Sequence, residues 1–180
     1  MYGLRTLIPV LLLVTVVAGA LAMWSDTLKI NATIETGEVK VKFSEWYCND
    51  VGADPQYDGF HNVEGKDVAS CCVEVEVEDE EGNPIKLLVT LDNTYPGYYV
   101  VITFTVDNIG TIPVKLLSYE FSGVNEEALY VWLLVPEDTQ IDPGDYGTYE
   151  LHIVVLQGAA ENSTYEFELT LTFAQWNEVH

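Results

Sequence analysis

Tyr98-Tyr99-Val100-Val101-Ile102-Thr103-Phe104-Thr105-Val106-Asp107 is the stretch that decides the fold. Tyr98, Val100, Ile102, Phe104 and Val106 recur every second residue, so an extended backbone sets all five on one face. The other side carries Thr103, Thr105 and Asp107. This is a strand with a buried face, and the chain on either side of it repeats the pattern. Asn108-Ile109-Gly110-Thr111 turns the chain and residues 112–121 return. Leu129 to Val135 is apolar on both faces, which predicts a central strand or one covered on its outer face. Asp142-Pro143-Gly144-Asp145 is a second turn, because Pro presets φ and Gly accepts φ > 0. Tyr149, Leu151, Ile153 and Val155 alternate after it, as do Tyr165, Phe167, Leu169, Leu171 and Phe173.

Toward the N-terminus, Val73, Val75 and Val77 alternate with Glu74, Glu76 and Glu78. Residues 79–84 form a turn and Ile85 to Leu91 its partner strand. Val39, Val41 and Phe43 oppose Glu38, Lys40 and Lys42, and further back Trp24, Leu28, Ile30, Ala32 and Ile34 share one face. The pattern fails over 44–72, an irregular excursion. The expectation is an all-β chain of about eight or nine strands packed as an antiparallel β-sandwich. No helix is predicted after residue 22, and 37–180 reads as one domain.

Residues 1–22 read as a signal peptide. Arg5 is the positive start, Leu7 to Ala22 carries no charge, and Ala20-Leu21-Ala22 is an A-x-A cleavage pattern. The apolar run of about 16 residues is short of the ~20 that span a bilayer, so the chain meets a membrane only through this segment, before cleavage. The rival reading is a pilin-like helix retained after a cut near Gly3. In an exported chain, Cys48 pairs with Cys71 or Cys72, closing a loop of roughly 20 residues worth about 3 kcal/mol. One thiol is left over.

The protein carries 29 Asp and Glu against 7 Lys and Arg. Loss of Arg5 with the signal leaves 29 acids against 6 bases, a formal charge of −23. Such a surface repels nucleic acid and anionic lipid, both polyanions. His61, His152 and His180 are far apart and no HExxH motif is present, so neither zinc chemistry nor any other catalytic centre is indicated. His152 falls on the polar side of its strand and reads as a surface residue. No cofactor is expected. Calcium is the one cation the pattern would admit, with Glu78, Asp79 and Glu81 as oxygen ligands, against the commoner reading of a solvated acidic face. Asn31-Ala32-Thr33 and Asn162-Ser163-Thr164 fit the glycosylation sequon, with Asn31 and Asn162 as the acceptors.

Three stretches together resemble the TasA/camelysin family of biofilm fibre proteins, in kind nearest the subunits of archaeal bundling pili. They are Ala22-Met23-Trp24-Ser25-Asp26 with Thr36-Gly37-Glu38-Val39, then Tyr95-Pro96-Gly97-Tyr98 running to Val106-Asp107-Asn108-Ile109-Gly110-Thr111-Ile112-Pro113-Val114, and finally Asp142-Pro143-Gly144-Asp145 with Phe173-Ala174-Gln175-Trp176-Asn177-Glu178. The resemblance implies a jelly-roll-like sandwich and an extracellular, cell-surface filament, in a biofilm or in cell–cell adhesion. Its subunits polymerise head to tail by donor-strand complementation, with the chain itself as partner and neighbouring filaments as partners in bundles. On that reading residues 23–36 are the donor strand, anchored by Trp24, Leu28, Ile30, Ala32 and Ile34. The alternatives are a monomeric secreted or cell-surface binding module whose N-terminal strand pairs in its own subunit, and a camelysin-like metalloprotease.

Overall fold

A computed structural model of the chain describes residues 28–179; the signal peptide and Trp24 lie outside the described residues. Nine strands and no helix occur among them: β1 (Val41–Cys48), β2 (Ser70–Glu78), β3 (Pro84–Asp92), β4 (Tyr99–Asn108), β5 (Val114–Ser122), β6 (Leu129–Leu134), β7 (Gln140–Ile141), β8 (Tyr146–Val155) and β9 (Glu168–Gln175). They build an antiparallel β-sandwich. One layer is a four-stranded sheet in the order β1-β4-β8-β6. The other layer is split into the hairpin β2-β3 and a three-stranded sheet β7-β5-β9, which share no ladder.

The alternation in β4 becomes burial residue for residue. Val100, Ile102, Phe104 and Val106 are buried and the residues between them are not. Antiparallel pairing of Tyr99 with Val154 through Asp107 with Tyr146 brings Tyr149, Leu151 and Ile153 of β8 onto the same inner face. Phe104 and Tyr149 stack there, and Phe173 of β9 meets Tyr149 edge-on from the opposite layer. Each large apolar side chain so enclosed contributes about 1.5–3 kcal/mol of transfer free energy. Asn108 closes the top of the core with no exposed surface. Its amide donates to the carbonyls of Ile112 and Ile141, and its side-chain oxygen accepts from Gly110 N–H.

The first strand is longer than its alternation suggests. A bulge between Phe43 and Trp46 sets Ser44 and Glu45 against the single Thr105, one residue too many, which breaks the period-two pattern while pairing with β4 continues to Cys48. Cys48 is disulfide-bonded to Cys71, 23 residues on, which resolves the choice left open by sequence; Cys72 is free and exposed. Parity explains the selection: Cys71 is in phase with Val73 and Val75 on the inner side of β2, and Cys72 faces out. The Trp46 indole N–H donates to the Val73 carbonyl, further fastening β1 to the hairpin. Reduction of the bond is expected to lower unfolding free energy by about 3 kcal/mol. A urea melt with and without reductant measures this, and Cys72→Ser should leave the midpoint unchanged.

One sequence expectation is resolved and one needs correction. Of the two readings of Leu129 to Val135, the structure selects the second: β6 is an edge strand covered on its outer face. Its second apolar face exists because Tyr57 of the excursion packs edge-on against Trp132 and Tyr99 on the outside of the sheet. His152 is only 8% exposed, not a surface residue. Its ring stacks at 4.6 Å on Trp132, and its Nδ1 lies 2.6 Å from the Tyr99 hydroxyl. An aromatic wall on neighbouring strands covers a position that alternation alone assigns to solvent.

The excursion itself is held by polar hooks. Asp54, 3% exposed, accepts from Val68 N–H, Ala69 N–H and the Tyr95 hydroxyl, and its own N–H donates to the Lys66 carbonyl. The buried Tyr98 hydroxyl donates to Asp50 at 2.8 Å, and burial, then Asp50, push that phenol above its ordinary pKa.

Candidate functional site

Residues 28–35 belong to a unit separate from the body, which begins at Thr36. Residues 28–40 carry no strand and enter none of the three sheets. Leu28, Ile30 and Ile34 are 92%, 94% and 85% exposed, and Ala32 between them is exposed as well. Three large aliphatic side chains in one alternating phase, all in water, form a strand's worth of inner face with nothing enclosed. Lys29 is the sole charged residue between Leu28 and Ile34 in a chain that is otherwise strongly acidic.

Within the body, residues 37–40 are clamped. Glu38 N–H donates to the Thr111 hydroxyl and Thr111 N–H to the Glu38 carbonyl. Ile109 and Gly110 N–H both donate to the Lys40 carbonyl. Gly110 is required there, since a Cβ would overlap the Glu38 carbonyl oxygen. The Lys40 ammonium reaches across to Glu81 at 2.7 Å and Asp79 at 3.6 Å, tying the clamp to the β2–β3 turn.

The second half of the site is a strand with a missing neighbour. Strand β9 pairs with β5 from Val114 to Ser122, whereas β7 covers the opposite edge only at Val114 and Lys115. From Leu116 onward that edge has no ladder among the described residues. A bulge between Leu116 and Ser118 turns Leu117 outward. An open groove of about 550 Å³ runs beside it, lined by Leu116, Leu117, Ser118, Tyr119, Leu133, Val135 and Thr139. Tyr119 pairs with Leu171 yet stays half-exposed, and no strand among the described residues closes over it. Edge backbone beside an apolar groove is the arrangement that an added strand completes, with ladder bonds for affinity and alternate side chains for register. Sequence reading named no acceptor. The doublet Leu116-Leu117, which breaks alternation at the bulge, was the one mark of it.

The other residues singled out by sequence are dispersed. Asn31 and Asn162 are exposed, and Asn162 takes a left-handed φ of 51° at its loop. The Asp79 carboxylate is engaged within its own turn. The side chain and N–H of Asn83, with Glu81 N–H and then Lys40, hold its pKa down to about 2. Glu81 pairs with Lys40, and Glu78 is exposed. Among the described residues no group of three or more His, Cys, Asp or Glu side chains is placed to hold a metal ion. Comparison with protein-family models, with curated proteins and with solved structures gives no match to this chain.

Proposed function

We propose that the protein is a structural subunit of an extracellular filament of the TasA/camelysin kind. Residues 23–36 of one copy lie along the unpaired β5 edge of the next and fill its groove with Leu28, Ile30 and Ile34. The observation that carries this reading is the exposed, unpaired state of that alternating segment. A contact of arm to groove is heterologous and does not close, so it propagates head to tail. Export rests on the signal peptide read at residues 1–22, and the Cys48–Cys71 bond fits an oxidising compartment. The reading gives the chain no catalytic step. Neighbouring filaments are its further partners, and the formal −23 of each mature copy makes assembly respond to salt, since charges are screened over about 10 Å at 0.1 M.

The test is deletion of 23–34 followed by addition of a synthetic peptide of that sequence. The truncated body should fold, remain monomeric and bind the peptide, seen as a raised melting temperature and as loss of binding when Leu117→Asp is introduced. A truncated body that is itself destabilised and takes up no peptide would mean that the segment pairs within its own subunit, as a monomeric surface module requires.

A further inference from the structure

A second trough lies on the outer face of the four-stranded sheet, away from the arm and its groove. Its volume is about 220 Å³, and the side chains Glu45, Tyr47, Thr103, Thr105, Tyr146 and Thr148 line it together with Phe104, whose ring is buried on the inner face. Strands β1 and β8 flank β4, so Tyr47 and Tyr146 stand on opposite sides of a floor made by Thr103 and Thr105. Tyr47 is level with Thr103, and Tyr146 with Asp107 four residues further along β4. The two tyrosines thus mark the ends of a diagonal, about 13 Å along the strand and about 10 Å across it.

Neither tyrosine serves the fold. They are 62% and 68% exposed, and among the described residues neither makes a ring contact or a hydroxyl hydrogen bond. The rim is built by the β1 bulge: Ser44 is hydrogen-bonded to Thr105 and Asp107, and Glu45 N–H donates to the Thr105 hydroxyl at 3.0 Å, which leaves the Glu45 carboxylate exposed at the edge. Bulges commonly re-aim side chains in this way beside binding sites. The hydroxyls of Thr103 and Thr148 are uncommitted among the described residues.

We propose that this trough binds a neutral oligosaccharide, one sugar ring against each tyrosine. The chemistry of the lining selects that class. Aromatic faces pack against the C–H face of a sugar, threonine hydroxyls both donate and accept, and a carboxylate accepts from sugar hydroxyls. No Lys or Arg lines the trough, so an anion would be unpaired in the field of a strongly acidic protein. A simple cation would meet a single, exposed carboxylate, Glu45, and would leave the tyrosine faces without a partner that packs on both. The site does not depend on the assembly reading, although repetition along a filament would multiply a weak affinity by avidity.

Saturation-transfer NMR on the full mature chain, in whatever assembly state it adopts, tests this with cellotetraose, maltotetraose, lacto-N-tetraose and chitotetraose as probes, neutral sugars long enough to reach both tyrosines. At least one should receive saturation, with a dissociation constant in the millimolar range. Tyr47→Ala and Tyr146→Ala should each weaken binding about tenfold, the equivalent of one lost stacking contact of about 1.4 kcal/mol. The melting temperature should hold, and Tyr130→Ala elsewhere on the same face should bind as the parent does. No transfer to any of the four sugars, transfer that survives both tyrosine substitutions, or transfer to tetramethylammonium alone would overturn the assignment.

Discussion

Replacing Leu28 and Ile30 together by Asp is expected to raise the critical concentration for filament formation by roughly two to four orders of magnitude. Each side chain contributes about 1.5–3 kcal/mol on burial, and each 1.4 kcal/mol is tenfold in an equilibrium constant. Placing two carboxylates against Leu116, Leu117 and Tyr119 adds a desolvation cost in the same direction. The isolated body should keep its unfolding midpoint, because both residues are almost fully in water there. Electron microscopy with sedimentation velocity reads the first effect and a urea melt the second. A sharper outcome comes from mixing this variant with Leu117→Asp, whose substituted side chain is half-exposed. One partner lacks a donor and the other an acceptor, so the mixture should yield 1:1 dimers that grow no further. Equal loss of body stability in the arm variant would point instead to pairing within one subunit.

Asp54→Ala should cost about 3–5 kcal/mol. The substitution strands three donors, Val68 N–H, Ala69 N–H and the Tyr95 hydroxyl, around a carboxylate that is almost wholly enclosed. Hydrogen exchange should quicken across 54–69, and Tyr57 should loosen from Trp132, changing the tryptophan emission. The disulfide at the ends of the excursion confines the damage. Burial alone would push the Asp54 carboxyl up, but Val68 N–H, the Tyr95 hydroxyl and Ala69 N–H together hold it below its ordinary value. Its contribution is therefore present above the unfolded carboxyl pKa of about 3.9 and is lost as pH falls through the lower folded value. Melting temperatures between pH 5 and pH 2 should fall less steeply for Asp54→Asn than for the parent.

The arm and the Asp54 hook also differ in how legible they were in the residue order. Strands β2, β4, β8 and β9 were legible because each keeps one face against the core, and period-two burial writes itself directly into residue order. Strand β1 was cut short by the Ser44-Glu45 bulge, and two readings of β6 stayed open because an edge strand covered by a loop and a central strand write the same pattern. The excursion was visible only as lost alternation, since its hooks join Asp54 to Val68 and Tyr95, contacts that no local pattern encodes. Half of the proposed assembly site was legible, as alternation in the arm. The groove was not, because it depends on β7 stopping after two residues. The Cys48 partner could have been read from parity with Val73.

The clamp at residues 37–40 has a mechanical consequence. Tension on the N-terminal segment would enter the body at the start of β1 and act along that strand's axis. The bonds between β1 and β4 run perpendicular to it, so such a pull loads them in shear, many together, rather than peeling them singly. At the far end of β1, Cys48 is covalently joined to β2, so a strand that began to slide would have to drag the hairpin with it. A force-extension trace with the load applied through the N-terminal segment should therefore show one high rupture peak that falls when the disulfide is reduced.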